Sequence, residues 1–204
     1  MRLIPGLALT LAIALVTTPV WAGAQQYEPL ADSVRAGLHA AIADRVAPDP
    51  QFPSIHEKVN WLTEMSSRLT RRMPDREARL EFLKTVYYEA KRAGLDPQMV
   101  LGLIQVESGF KKYSVSSAGA RGYMQVMPFW VKLIGNKDSN LFHMRTNLRF
   151  GCTILRHYLD IENGDLYRAL GRYNGSLGKP EYPRMVQGAW EKQWGWGQRV
   201  IGPR

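Results

Sequence analysis

One cysteine, Cys152, is all the sulfhydryl chemistry this chain has. Without a partner thiol no intramolecular disulfide can form even in an oxidising compartment, so the core has to hold by packing. Its neighbours Phe150, Ile154 and Leu155 mark it as an inert, buried helical position. The four histidines, His39, His56, His143 and His157, are scattered and lack metal-ligand spacing with cysteines or acids, so no metal site is expected. No glycine motif of the kind that cradles phosphate is present, and no cofactor is implied. No run alternates with period two for long enough to make a sheet, and neither an internal repeat nor a low-complexity segment occurs. That leaves a mainly α chain. Acidic residues are also in short supply, 18 against 27 basic ones, for a net charge of +9. Outside the cytoplasm such a charge fits an acidic polymer or a membrane surface better than nucleic acid, although the number alone does not choose among them.

The chain begins with Arg2, an apolar run from Leu3 to Val16, and the small residues Ala22, Gly23 and Ala24. This pattern predicts a secretory signal peptide over 1–24, cleaved after Ala24 to leave Gln25 first. A transmembrane anchor is the alternative, but Thr17, Thr18 and Pro19 interrupt the apolar core ahead of a good cleavage site. No cysteine lies close enough for lipid attachment at a new N-terminus. The product is expected to be periplasmic, without stable membrane insertion.

The remaining length suits one domain with an N-terminal extension. Leu30, Val34, Leu38 and Ile42 recur four apart and predict an amphipathic helix over 29–46. Pro48, Pro50 and Pro53 then make a linker, so 25–54 reads as an N-terminal helix with a Pro-rich linker. A helical domain is expected over 55–190 and a tail over 191–204. Within the domain, Trp61, Leu62, Met65 and Leu69 are spaced helically, and a long helix is expected from Arg76 to Ala93, ended by Gly94. Helical runs are also expected over 142–158 and 166–173, with Pro180 and Pro183 framing a loop. Trp190, Trp194 and Trp196 are read as closing over the helical core, with stacking on sugar rings as the alternative.

The chemistry centres on one helix. Asp96-Pro97 is a strong start signal, Met99 to Val106 is apolar except for Gln105, and Gly109 is a stop. Glu107 therefore sits in the last turn of a buried helix. Burial disfavours its charged form, and the partial negative charge of the helix C-terminus disfavours it again, so its pKa is expected to rise into the range a general acid needs. A glutamate that simply points to solvent at the helix end is the bland alternative.

Further along come Glu107-Ser108, then Ser116 followed by Ser117-Ala118-Gly119-Ala120-Arg121-Gly122-Tyr123-Met124-Gln125, then Met127-Pro128, and later Arg172-Tyr173-Asn174. In this order and spacing the Glu-Ser pair, the Gly-x-Met-Gln block and the Tyr-Asn block resemble the catalytic domain of the soluble lytic transglycosylases, the goose-lysozyme-like family. The likeness runs from about Pro74 to Val186. It implies a mainly α, lysozyme-like fold with an additional N-terminal helical segment, and a catalytic role for Glu107 alone. It also implies substrate contacts for Ser116 and Gln125, a tyrosine beside the glutamate at Tyr173, and supporting roles for Ser108 and Asn174. Met124 is expected in the core or the groove wall. Tyr123 stands where the family commonly has leucine, and Arg172 where a small alanine is common; Arg172 would add charge near the groove.

The activity implied is cleavage of the MurNAc-GlcNAc β-1,4 bond of peptidoglycan, with the muramic C6 hydroxyl closing a 1,6-anhydro ring. No second catalytic carboxylate is then needed, and no acid lies between Glu107 and Asp138. A hydrolase of lysozyme type would require a base such as Asp138, Asp160 or Asp165. A non-catalytic glycan-binding protein is the other alternative. The partners expected are peptidoglycan glycan strands and not nucleic acid, with a cell-envelope or secretion complex as a further candidate.

Overall fold

The computed structural model describes residues 25–43, 50–136 and 138–197. The expected signal peptide and its cleavage point, most of the Pro-rich linker, and the end of the tail lie outside the described residues. Among those described are eight α-helices and one π-helical turn, and the only β pairing is two isolated bridges, Val115 with Arg121 and Arg121 with Val126. The protein is mainly α. None of its described helices is long and apolar enough to cross a membrane.

Helix α1 spans Asp32–Ala43 and α2 spans Ile55–Leu69, which buries Trp61, Met65 and Leu69 as the spacing predicts. Helix α3, Arg76–Arg92, starts at Asp75, whose side chain accepts from the Ala78 N–H. The central helix α4, Pro97–Ser108, starts as the sequence indicates: Asp96 accepts from the Gln98 and Met99 N–H groups, satisfying two of the donors that a helix N-terminus leaves open. It stops at Gly109, whose φ of 58° is the left-handed cap that glycine adopts without a Cβ penalty. Around α4 pack α3, α8 (Glu181–Ala189) and the π-helical turn Trp190–Trp194.

Helices α5 (Phe129–Ile134), α6 (Met144–Ile161) and α7 (Leu166–Asn174) complete the body. The long amphipathic α6 buries Leu148, Cys152 and Leu155 on one face, and burial pushes the Cys152 thiol well above its usual range. Helix α1 packs on α5 and α6, and the Arg92 guanidinium donates to the Ala41 carbonyl at 2.7 Å.

The segment framed by Pro180 and Pro183 is not a loop: Pro180 precedes α8 and Pro183 lies in its first turn, where the missing N–H has no helical partner to lose. The tryptophan-rich segment closes over the core. Trp194 is buried and its indole N–H donates to Gln105 Oε1 at 2.9 Å, while Arg68 of α2 donates to the Gln193 and Gly195 carbonyls.

One ion cluster ties the helices together. Glu89 of α3 is fully buried and accepts from Arg149 at 2.9 Å and from Arg92 at 3.0 Å. Burying a carboxylate is tolerable only with such pairing.

Candidate active site

The C-terminal end of α4 carries Glu107, which is buried at 5% exposure. Its Oε1 accepts a hydrogen bond from the Tyr182 hydroxyl, and its Oε2 is buried without a protein partner. Burial pushes the carboxyl up to about 8; the Tyr182 hydroxyl, by donating to the charged form, offsets part of that rise. Among the described residues no ionised group contributes to the shift. A carboxyl so placed carries its proton near neutrality and has one oxygen fixed and the other free of protein partners. It can donate a proton and later take one back.

Tyr182 escaped the sequence reading because Pro183 suggested a loop there. The residue lies on α8, is buried, and has its own pKa raised well above the usual range by burial and by the Glu107 charge. Tyr173, expected beside the glutamate, is fully buried on α7, and its hydroxyl donates to the Met124 carbonyl at 2.7 Å. It is close enough to Glu107 for that charge to raise its pKa further, after burial as the larger cause. So Tyr182 is the hydrogen-bond donor to the carboxylate, and Tyr173 braces the backbone at Met124.

Segment 121–127, which carries the expected groove-wall residue Met124, is held by side chains from distant parts of the chain. Ser108 Oγ donates to the Tyr123 carbonyl at 2.7 Å. Asn147, from α6, accepts from the Met124 N–H at 2.8 Å and donates to the Arg121 and Leu141 carbonyls. Gly122 has φ 78°, and a Cβ there would meet Asn147 Nδ2 at 2.4 Å, so the clamp and the glycine require one another. Met124 is buried in the core.

Gln125 adopts a φ of 47°, unusual for a residue with a side chain. Its amide is turned inward, donating to the Ser114 and Gly122 carbonyls at 3.1 and 2.9 Å. Ser116, half-buried in the same loop, accepts from the Ala120 N–H. Asn174 closes α7; it donates to Ser176 Oγ, and its Oδ1 is buried without a partner. Arg172 is not free to add charge to a groove, because Glu162 and Glu28 both accept from it.

The three acids considered as alternative bases sit in other settings. Asp160 pairs with Arg156, Asp165 caps α7, and Asp138 lies in an exposed turn.

Several known proteins are similar to this chain. A transglycosylase of Enterobacteria phage PRD1 is 32% identical over 103 residues, covering 50% of this chain and 38% of the phage protein. A membrane-bound lytic murein transglycosylase C of Haemophilus influenzae (strain PittGG) is 42% identical over 114 residues, covering 48% of this chain and 32% of that protein. The chain thus spans well under half the length of these relatives. Among solved structures, an inactive mutant of the lytic transglycosylase Slt from Pseudomonas aeruginosa matches 64% of this chain and 23% of its own, at 22% identity and a TM-score of 0.42. The model of the Transglycosylase SLT domain family matches residues 84–189, from the middle of α3 to the end of α8, which is more than half of the chain, and the protein belongs to that family.

Proposed function

We propose that this protein is a peptidoglycan lytic transglycosylase that cleaves the MurNAc-GlcNAc β-1,4 bond with Glu107 as its single acid and base. The observation that carries the reading is the state of Glu107: buried, protonated near neutrality, held at Oε1 by Tyr182 and unpartnered at Oε2.

In the first step the Glu107 carboxyl donates its proton to the glycosidic oxygen, and the bond to the muramic C1 breaks, releasing the GlcNAc-side hydroxyl. The electron-poor C1 is supported by the substrate's own N-acetyl oxygen. Glu107 is now a carboxylate, stabilised by the Tyr182 hydroxyl. It accepts the proton of the muramic C6 hydroxyl as that oxygen bonds to C1, closing the 1,6-anhydro ring and restoring the carboxyl. Water is not consumed, which is why one carboxylate suffices where most glycosidases use two.

Ser116 and Gln125 are proposed to contact the glycan near the cleaved bond, with Gln125 Oε1 as acceptor since its Nε2 is committed to the loop. Asn174 offers its unpaired Oδ1, whereas Ser108, Met124 and Tyr173 shape and brace the wall. The relatives named as membrane-bound murein transglycosylases support an envelope setting, reached by export through the leader over 1–24 with cleavage after Ala24. The test is Glu107→Gln, similar in size but unable to donate and recover the proton. It should abolish turnover of purified sacculi with an unchanged circular dichroism spectrum; retained turnover would remove Glu107 from the mechanism.

A further inference from the structure

Ahead of α1, residues 25–31 run as an extended strap against the body, outside the segment that matches the family. Gln25 is buried at 3% exposure, although it is a long polar residue with no secondary structure around it. Its side-chain Nε2 donates to the Gln125 carbonyl at 3.2 Å, and its Oε1 accepts from the Met127 N–H at 3.0 Å. One carboxamide thus meets two backbone groups of the wall, as a neighbouring strand would. Tyr173, whose hydroxyl donates to the Met124 carbonyl at 2.7 Å, holds the neighbouring residue of the same segment. The strap is itself pinned on both sides of its body: the Tyr27 ring meets Phe129 edge-on at 5.7 Å, and Glu28 accepts from Arg172 at 3.1 Å.

We infer that Gln25 is a positioning residue for glycan binding: its carboxamide fixes the Gln125 to Met127 backbone, and through it the groove wall proposed above to meet the glycan. The inference rests on the enzymatic reading above and extends it to a residue separated from Gln125 by a hundred positions. The wall needs an external support because Gln125 holds a left-handed backbone conformation that its own side chain does not favour, and because Gln125 O and Met127 N have no other partner in the loop. Removing Gln25 leaves that donor and that acceptor unmet. The wall then has more than one arrangement in the free enzyme, and substrate must select the competent one. The chemistry at Glu107, held by α4 and α8, is untouched.

The expected signature is a split between binding and turnover. In Gln25→Ala, with soluble uncrosslinked glycan strands as substrate, KM should rise about tenfold while kcat stays within about twofold, the loss expected for two hydrogen bonds to one wall. A merely structural role would lower the active fraction, and so kcat, at unchanged KM. Gln25→Glu gives a second readout. A protonated carboxyl offers one donor and one acceptor, as the amide does, whereas an ionised one offers acceptors only. The KM of Gln25→Glu relative to the native enzyme should therefore approach one near pH 5 and rise with pH. Native turnover with unaltered KM in Gln25→Ala, or a Gln25→Glu ratio independent of pH, overturns the clamp and leaves the enzymatic reading standing. No turnover by the native protein overturns both.

Discussion

The Tyr182 hydroxyl donates to Oε1 of Glu107, joining the last turn of α4 to the first turn of α8 across 75 residues of sequence. It is the one protein hydrogen bond the carboxyl makes among the described residues, and it favours the charged form against a burial that disfavours it.

Removing that donor therefore pushes the Glu107 carboxyl further up. If Glu107 governs the alkaline limb of kcat/KM, that limb is expected near pH 8 in the native protein and should move to higher pH in Tyr182→Phe. The rate at the optimum should fall by about tenfold, because the carboxylate formed during cleavage loses its support. A pH-rate profile checks both, and a limb that moves downward would contradict the role given to Tyr182.

The same shift makes a stability prediction. The folded-state value of about 8 lies above the ordinary 4.5, so below pH 4.5 both states are protonated and the folded protein suffers no penalty. Between the two values the unfolded chain ionises and the folded one does not, so stability falls as pH rises, until it levels off above about 8. Glu107→Gln has no such loss. Its thermal midpoint should match the native one near pH 4 and exceed it at pH 8 and above, by on the order of a few kcal/mol of stability. Melting curves across that range test it; a difference independent of pH would refute it.

How much of this was legible in sequence depends on the range of the interaction. The ends of α4 were readable because Asp96, Pro97 and Gly109 act on their immediate neighbours, and with them the placement of Glu107 in the last turn. The partner of Glu107 was not. Proline at position 183 resembles a break unless the helix is known to start just before it, and nothing local says that the adjacent Tyr182 faces a residue 75 positions away. Gln25 carried no signal either, since a single polar residue in an extended segment has no periodicity to betray burial. Nothing in the sequence distinguishes Glu89 from the other charged residues of α3, and only the packing of α6 brings Arg149 to it inside the core.

That buried pair should be costly to break. Arg149→Met removes the closest of the three guanidinium groups around the buried Glu89, leaving Arg92 at 3.0 Å and Arg145 at 3.9 Å, and should lower stability by about 3–5 kcal/mol. Replacing Glu89 and Arg149 together by apolar residues should cost much less than the sum of the single changes. A double-mutant cycle by denaturant unfolding checks this; additive losses would show that the two side chains are not coupled.

Mass spectrometry of the muropeptides released from purified sacculi tests most directly which group attacks the muramic C1. If the C6 hydroxyl attacks, the ends are 1,6-anhydro and non-reducing, and each muropeptide is lighter by one water than a hydrolysis product. The buried carboxyl of Glu107, with no ionised group among the described residues shifting its pKa, predicts mainly anhydro products. A predominance of reducing ends would mean that a second group activates water, with Asp138 the first to replace, and would contradict the single-glutamate mechanism.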